Sequence, residues 1–208
     1  MFFAQPFSAA PCGTPSRAVR ADPGLRHHAA GDPTRARVER LIQSVFAAHF
    51  DARITAWAPH LVSLEHRGEI VAAAGYRSAR LPLYLERYLA QPVEQVLATA
   101  AGTHVAREQI AEVGHLASVR AGSSPALMVA LGHDLAACGF RWVVSTATRE
   151  LRRIFARLGV RGLVLGPADP RRLGAAAADW GRYYEHAPLV LAVDIAANLT
   201  RVEGAVRR

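Results

Sequence analysis

One stretch of the chain, residues 107–159, constrains the fold more than any other. Four segments with the periodicity of regular secondary structure follow one another in it: a strand at 107–117, a helix at 126–138, a strand at 141–148 and a helix at 150–158. Gly139 and Gly159 follow the two helices, at the position where a residue in the left-handed conformation is common. The order strand, helix, strand, helix therefore predicts a βαβ unit, whose parallel strands are covered by helices on both faces.

The segments on either side of this unit extend the predicted sheet. They comprise a helix at 33–50, short strands at 54–57, 61–66 and 70–76, a helix from Pro92 to about Ala101, and strands at 161–166 and 189–195. Asp32 and Pro33 suit the N-cap and the first position of a helix, and Arg67-Gly68-Glu69 suits a hairpin turn. Because hairpin strands are antiparallel and the central unit is parallel, we predict an α/β fold with a mixed central sheet and flanking helices.

Length and composition predict a single domain at residues 32–198. A chain of 208 residues can bury enough apolar surface for a substantial core. Residues 1–31 mix proline, glycine, alanine and arginine without periodicity, so we interpret them as a disordered N-terminal tail. Residues 167–188 are predicted to be irregular, and residues 199–208 are interpreted as a frayed C-terminal tail.

All 25 basic side chains are arginine, because the sequence contains no lysine. This excludes the lysine chemistry of a P-loop or of a Schiff base. Arginine, by contrast, binds phosphate and carboxylate through its planar fork. A coding bias towards arginine and alanine explains the same composition, and the exclusion of lysine chemistry holds in either case.

The two cysteines, Cys12 and Cys138, suggest neither a disulfide framework nor a zinc site, and we predict no bound metal. No apolar run reaches the length of a bilayer-spanning helix. The first seven residues lack the positively charged region of a secretory signal. We therefore expect a reduced, cytoplasmic protein without a transmembrane segment.

The turn Arg120-Ala121-Gly122-Ser123-Ser124 leads directly from a predicted strand into a predicted helix. Glycine lets the backbone approach an anion closely, and the helix N-terminus offers unpaired N–H groups with a partial positive charge. Arg120, Gly122, Ser123 and Ser124 are therefore candidate ligands for a pyrophosphate or a phosphopantetheine arm. An ordinary helix start with a loop glycine is the alternative interpretation.

Glu112 and His115 lie three residues apart near the end of the first central strand. In a regular strand they point to opposite faces of the sheet, but a β-bulge at Gly114 brings them closer. Either side chain can take a proton from an attacking amine. The alternative is a partly buried pair with a structural role.

The second central helix carries a basic face, and an aromatic loop follows it later in the chain. The basic residues are Arg149, Arg152, Arg153, Arg157 and Arg161. Such a face binds an acidic carrier domain or nucleic acid, or is merely solvated, and its lack of stacking aromatics argues against nucleic acid. The loop Asp179-Trp180-Gly181-Arg182-Tyr183-Tyr184 suits either a pocket lid or an aromatic plug on the sheet.

The pattern of residues over 52–195 resembles the thermostable hemolysin family. The residues that carry the resemblance form ordered blocks: Ala74-Gly75-Tyr76-Arg77, 85–89 with Pro92 and Glu94-Gln95, 110–117, 139–149, Leu158-Gly159, Asp179-Trp180-Gly181, Tyr183-Tyr184 and Pro188. One departure is His115, where the resemblance leads us to expect asparagine. If that position is catalytic, the departure bears on the substrate.

The resemblance implies an acyl-CoA N-acyltransferase-like fold, similar to that of the acyl-homoserine-lactone synthases. The donors of those enzymes are thioesters of acyl carrier protein or of coenzyme A. The 120–124 turn then binds the pyrophosphate, and the strands bearing Glu112 and Trp142 splay apart to admit the pantetheine arm.

The first of two functional hypotheses is an N-acyltransferase that moves a fatty acyl group from such a thioester to a small amine, without a tightly bound cofactor. Glu112 takes the proton, aided by Glu86 or His115, and backbone N–H groups of residues 116–118 polarise the carbonyl. The remaining candidate substrate residues are Arg77, Tyr84, Arg149, Asp179, Trp180 and Tyr184.

The second hypothesis is a membrane-active cytolysin, as the family name indicates. A basic surface and the amphipathic helix at 33–50 support it, although that helix carries only an ordinary core stripe. The sequence leaves the acyl chain, the amine, the carrier and the oligomeric state open.

Overall fold

A seven-stranded mixed sheet forms the centre of the structure, a computed structural model that describes residues 24–206. Its strands are β1 (Leu25–His28), β2 (His60–His66), β3 (Glu69–Ser78), β4 (Ile110–Ser118), β5 (Trp142–Ala147), β6 (Leu163–Pro167) and β7 (Leu189–Asp194). They lie in the order β1-β2-β3-β4-β5-β7-β6. β4 and β5 are parallel and every other neighbouring pair is antiparallel, which confirms the predicted mixed sheet.

Within residues 24–206, five α-helices flank the sheet: α1 (Arg35–Phe50), α2 (Val93–Ala101), α3 (Ser123–Ala137), α4 (Arg149–Arg157) and α5 (Ile195–Val206). Four 3-10 segments join them, at Leu85–Tyr88, Arg107–Gln109, Pro170–Trp180 and Tyr183–His186. The central βαβ unit is present as β4, α3 and β5, followed by α4. Gly139 and Gly159 follow α3 and α4 with φ of 87° and 71°, a backbone region in which glycine meets no Cβ penalty.

Helices cover both faces of the sheet. The front face, as we name it, packs against α1, α2 and the 3-10 segments, and it contains the side chains of Ile110, Ala117 and Val144. The back face packs against α3 and α5, and it contains Ala111 and Val143. α1 buries Val38, Ile42 and Phe46, as its sequence periodicity predicts, because residues four apart share one side of a helix.

Four local predictions are wrong within the described residues. Leu25–His28 forms β1 instead of belonging to a disordered tail, and Ile195–Val206 forms α5 instead of fraying from residue 199. Residues 54–57 do not form a strand, and the segment predicted as irregular contains two 3-10 helices. The predicted disorder of residues 1–23 lies outside the described residues.

The sequence does not predict β1, because this strand is held by contacts with residues that lie far away in the chain. His28 is 1% exposed, and its ring nitrogens lie 2.7 Å from Thr34 Oγ1 and 2.9 Å from Ser63 Oγ. His27 also lies 3.2 Å from Asp134 of α3. A four-residue segment with two histidines has no apolar alternation, so only the paired sheet identifies it as a strand.

Candidate active site

The parallel pairing of β4 and β5 ends soon after it begins. Ile110, Ala111 and Glu112 pair with Trp142, Val143 and Val144, and among the described residues the register stops there. β4 continues to Ser118 against β3 alone, and β5 continues against β7 alone. The edges of the two strands therefore face each other unpaired across a gap, which we name the β4–β5 opening.

Glu112 lies at the point where the opening begins. Its side chain is on the front face, and the residue as a whole is 8% exposed. One carboxylate oxygen accepts the backbone N–H of Tyr84 at 2.8 Å, and the other accepts that of Leu85 at 2.9 Å. Burial raises the pKa of Glu112, although these two donors and the Arg77 charge oppose the increase. A carboxylate with a raised pKa is a stronger base, which suits proton transfer near neutral pH.

Glu86, the second candidate base, is held in an ion-pair network. Arg107 contacts its two oxygens at 2.6 and 2.9 Å and also contacts Glu94. Burial by itself raises the pKa of Glu86, but Arg107 and the N–H groups of Leu83 and Val93 outweigh it and lower the pKa to about 2. A carboxylate with so low a pKa is a weak base, so we assign Glu86 to fixing the segment that precedes α2.

His115 shares the front face with Glu112 because of a β-bulge. The register between β3 and β4 shifts between Ala73 and Gly75, and His115 has a φ of 53°. Its ring lies 6.5 Å from the Phe46 ring and 5.4 Å from the Trp57 ring, which belong to the front-face core. The bulge was predicted at Gly114 and lies just after it, at His115 and Leu116, and it places both candidate bases on one face.

The imidazole of His115 is buried and incompletely bonded. Its Nδ1 has no hydrogen-bond partner among the described residues. Burial and, to a smaller extent, the Arg77 charge lower the pKa of His115, the Ala56 backbone opposes them, and the net result is a pKa of about 4. A Cβ on Gly75 would lie 2.8 Å from this Nδ1, so the glycine makes room for the ring. His115 is therefore neutral near pH 7, with a free nitrogen.

An aromatic wall connects Glu112 with His115. The indole N–H of Trp180 donates to the Tyr84 hydroxyl at 2.8 Å, and the backbone of Tyr84 binds Glu112. At its other end the Trp180 ring lies 6.4 Å from Phe46, the ring that contacts His115. The structure thus brings the predicted loop residue Trp180 and the predicted Tyr84 together beside both candidate bases.

Two further tyrosines complete this wall. Tyr184 shares a hydrogen bond of 2.7 Å with Tyr88. Tyr183 is buried, and its hydroxyl donates to the carbonyl of Thr146 at 2.9 Å. Thr146 lies on β5 two residues beyond the last residue paired with β4, so Tyr183 covers the front of the β4–β5 opening on its β5 side.

Three predicted substrate residues have different surroundings. Arg77 lies directly opposite Glu112 on β3, and its side chain is 21% exposed. Arg149 is exposed at the first position of α4, so it is available to a ligand. Asp179 instead binds the α1–β2 connection: its backbone carbonyl accepts Arg53 N–H at 2.7 Å and its carboxylate accepts the Thr55 hydroxyl at 3.3 Å. These bonds assign Asp179 to anchoring the loop.

Gly181 explains how that loop approaches α1 so closely. The N–H of Arg182 donates to the Phe50 carbonyl at 2.6 Å. A Cβ on Gly181 would overlap the backbone oxygens of Phe50 and Asp51, and the residue has a φ of 51°. Glycine at this position lets the aromatic loop lie directly on the end of α1.

The 120–124 turn lines a surface groove of about 510 Å³ between the end of β4 and α4. Gly122 has a φ of 80° and precedes the first residue of α3. Ser118, Arg120 and Ser124 line the groove on one side, and Arg157 lines it on the other. The groove thus combines the N-terminus of α3 with two arginines, a combination that suits an anionic ligand.

Two side chains, one in the predicted anion site and one on the predicted basic face of α4, bond within the protein instead of facing a ligand. Ser123 is 6% exposed, and its hydroxyl bonds to the carbonyls of Val71 and Arg120, so its side chain holds the turn. Arg152 donates to the carbonyls of Ala147 and Ala187 and therefore fixes α4. Arg153 and Arg157 remain exposed and available.

Sequence analysis missed several residues of this site. Phe46, Trp57 and Arg107 contribute through contacts with residues far away in the chain. Gly75 belongs to one of the blocks that carry the family resemblance, and its small size is what the His115 ring requires. Within residues 24–206, no group of three or more histidine, cysteine, aspartate or glutamate side chains could hold a metal ion.

Comparisons with known proteins give one family and one fold. A family model described as thermostable hemolysin matches residues 28–199. The crystal structure of TofI in an apo form has a TM-score of 0.57 and 17% identity, covering 86% of this chain and 95% of that one. Curated proteins include no match to this sequence.

Two other similar structures carry functional descriptions. BjaI, a CoA-dependent acyl-homoserine lactone synthase solved with SAM and isopentyl-CoA, has a TM-score of 0.61 and 14% identity, covering 88% of this chain and 89% of that one. FeeM, an N-acyl amino acid synthase from uncultured soil microbes, has a TM-score of 0.58 and 12% identity, covering 85% and 98%. At these identities the likeness shows the fold, which is N-acyltransferase-like as predicted.

Proposed function

The chain belongs to the thermostable hemolysin family, and we propose that it is an N-acyltransferase. The donor is an acyl thioester of phosphopantetheine, carried by coenzyme A or by an acyl carrier protein, and the acceptor is a small amine. BjaI and FeeM, which share the fold, are described as an acyl-homoserine lactone synthase and an N-acyl amino acid synthase. The reaction class agrees with those descriptions, and the site supplies the argument for it.

The observation that carries the proposal is the β4–β5 opening, with two proton acceptors on its front face. Backbone groups of β4 beyond Glu112 have no partner on β5 among the described residues. An extended pantetheine arm has amide groups that can take the place of the missing strand partner. The groove at the 120–124 turn adjoins the end of the same strand, so phosphate groups bound there lead the arm into the opening.

The chemistry requires one proton acceptor and no covalent enzyme intermediate. The amine loses a proton to Glu112, whose raised pKa makes it a stronger base than an ordinary carboxylate, and attacks the thioester carbonyl. The C–N bond forms, the C–S bond breaks, and the departing thiolate takes up a proton. Backbone N–H groups of residues 116–118 that point towards the β4–β5 opening stabilise the negative oxygen of the tetrahedral intermediate.

The acceptor we propose carries a carboxylate as well as an amine. Arg77 is partly exposed on the front face beside Glu112, and its Nε lies 3.4 Å from that carboxylate. The terminal nitrogens of a guanidinium can bind a second carboxylate through two hydrogen bonds. An amino acid held in this way presents its amine next to both candidate bases. Arg149 is a second candidate ligand for that carboxylate.

A directly lytic activity is the alternative that the family name suggests. In the part of the chain that the structure describes, no helix is long and apolar enough to cross a membrane. The apolar side of α1 is occupied by the front-face core, which removes the amphipathic helix as a ready membrane anchor. Dye leakage from liposomes with detergent-free protein measures this activity directly.

The proposal is tested by offering acyl-coenzyme A and acyl carrier protein donors with a panel of amino acids. Thiol release and mass spectrometry of the products report the reaction, and products accumulating in cells that express the chain identify the natural acceptor. Amine-dependent thiol release that yields an amide supports the proposal. Liposome leakage without any amide product from any donor contradicts it.

A further inference from the structure

A second cavity lies at the opposite end of the central strands from the 120–124 turn. Its volume is about 280 Å³, and it is bounded by the end of α2, the starts of β5 and β6, the end of β7 and the first turns of α5. The side chains that give it chemical character are Arg141, Trp142, Arg161, Asp194, Asn198 and Arg201. We name it the arginine pocket. The nine residues of β4 separate it from the turn by roughly 25 Å.

The arginine pocket has a surplus of positive charge. Three arginines and one carboxylate line it. That carboxylate, Asp194, is already bonded to Arg141 Nε at 3.2 Å and to the N–H of Ala197 at 3.1 Å. Arg161 and Arg201 have no carboxylate within ion-pair distance among residues 24–206, so two guanidinium groups remain unneutralised.

The partial charges of the two helix ends at the pocket cancel each other. α5 begins here with its partial positive charge, and α2 ends here with its partial negative charge. The net attraction for an anion therefore comes from the arginines.

The backbone that carries Arg161 is fixed by a buried side chain. Asn198 is 5% exposed. Its carbonyl accepts the N–H of Arg161 at 2.7 Å, and its amide donates to the Arg161 carbonyl at 3.1 Å and to the Asp194 carbonyl at 2.8 Å. This arrangement holds Arg161 at the rim before any ligand arrives, which lowers the entropic cost of binding.

Trp142 supplies an independent observation at the same place. Its side chain is 5% exposed and lines the pocket. The indole Nε1 has no hydrogen-bond partner among the described residues. Buried indole N–H groups usually find an acceptor, so an unpaired donor on a side chain that lines this pocket is a feature that the arginines do not explain.

We propose that the arginine pocket binds a small dianion through its phosphate or carboxylate oxygens. Arg161 and Arg201 bind the oxygens of the ligand, and Trp142 donates its indole N–H to one of them. The apolar surface of Ala101 and Leu163 accommodates a compact carbon skeleton. The site is separate from the acyl-transfer site and does not depend on the proposed reaction. It gives the chain a binding site for a second, anionic metabolite.

The proposal is tested by titrating the full chain with inorganic phosphate and, separately, with citrate, at constant ionic strength. The indole N–H resonances of the three tryptophans report binding, and Trp142→Phe assigns the relevant signal. We expect the Trp142 resonance to shift saturably with at least one probe, while those of Trp57 and Trp180 do not move. A response to phosphate or to citrate distinguishes the two sources of oxygen ligands.

A matched pair of variants separates a site from general basicity. Arg161→Gln with Arg201→Gln should raise the Kd about tenfold or more. Arg37→Gln with Arg40→Gln removes the same charge from exposed positions on α1 and should change the Kd less than about twofold. Circular dichroism verifies that each variant is folded. Failure of both probes to saturate the Trp142 shift, or equal weakening by the two pairs, overturns the proposal.

Discussion

Arg77 and Glu112 face each other on β3 and β4, with Arg77 Nε 3.4 Å from Glu112 Oε2. The guanidinium favours the ionised form of Glu112, whereas burial favours the protonated form and prevails. The pair thus sets a carboxylate of raised pKa beside a cation whose terminal nitrogens are available. Both halves of the proposed acceptor site, for the amine and for the carboxylate, depend on this relationship.

Replacing Arg77 with methionine should weaken binding of an acceptor that carries a carboxylate. Losing a bidentate ion pair costs roughly 1.5–3 kcal/mol, so the acceptor KM should rise by about tenfold or more. The donor KM should stay nearly constant. Steady-state kinetics with each substrate varied measure both, with Arg80→Met as an exposed control on the same segment. An unchanged acceptor KM would contradict the role of Arg77.

Glu112→Gln should lower turnover about a hundredfold or more, the usual effect of losing a general base. It should also destabilise the fold by about 1–3 kcal/mol, because an amide offers one carbonyl oxygen to the two N–H groups of Tyr84 and Leu85. Glu94→Gln, which weakens the Arg107 network, is the stability control. Kinetics and urea unfolding separate the effects. Full turnover in Glu112→Gln would make Glu112 an anchor alone and His115 the base.

His115→Asn should make the free energy of unfolding fall less steeply as the pH is lowered. The folded pKa of about 4 lies below the ordinary 6.5, so neutral His115 contributes stability that is fully present above pH 6.5 and is lost as pH falls through 4. Between pH 7.5 and 4.5 the wild-type chain should lose roughly 2–3 kcal/mol more than the variant. Asparagine also tolerates the positive φ at this position.

The measurement for His115 is the free energy of unfolding in urea at a series of pH values. His49→Asn, at an exposed position on α1, is the control and should follow the wild-type curve. Identical pH dependence in His115→Asn and the wild type would show that the imidazole is not held neutral by burial.

Gly122→Val should weaken donor binding without unfolding the domain. No atom lies within 4 Å of a Cβ added there, so the cost to folding is the strain of a φ of 80°, about 1–2 kcal/mol. A valine side chain also blocks the approach of phosphate to the turn. Gly139→Val imposes the same strain at the other end of α3, where a Cβ is equally free of contacts.

Calorimetry with coenzyme A and with acyl carrier protein distinguishes these two glycine variants. Gly139→Val should lose stability and keep its donor affinity, while Gly122→Val should lose both. If the two variants bind donor equally well, the 120–124 turn is not part of the donor site.

Reversing Arg153 and Arg157 to glutamate should slow reaction with an acyl carrier protein much more than with coenzyme A. Both side chains are exposed on α4, and Arg157 lines the groove where the donor enters. Single exposed charges contribute about 1 kcal/mol or less, but several together steer an acidic partner in a salt-dependent way. The measurement compares initial rates of the wild type and the variant with each donor over a series of salt concentrations.

Reversing Arg37 and Arg40 on α1 removes equal charge away from the groove and serves as the control. The carrier reaction of the wild type should fall steeply with salt, and that of the α4 variant should not. Equal slowing with both donors would show that the α4 arginines do not select a carrier protein, and it would favour coenzyme A as the natural donor.

Local sequence patterns determined most of the central elements of this fold. The periodicity of Val38, Ile42 and Phe46 predicts α1, and the glycines after α3 and α4 predict where those helices end. The same reasoning found the hairpin and the parallel central unit. These features depend on residues within a few positions of one another, whose side chains share a face by the geometry of a helix or strand. They can therefore be predicted from the sequence alone.

Only the tertiary structure decided how those elements form a site. Sequence placed Glu112 and His115 three residues apart, and the register shift against β3 put them on one face. The sequence made Glu86 a candidate base, but in the structure its carboxylate is bound by Arg107, which is 21 residues away in the chain. The Trp180 ring reaches Tyr84 across 96 residues. The pKa of a side chain depends on its burial and on the charges near it in space. Which residues are near it in space follows from the order of the strands in the sheet and not from the local sequence.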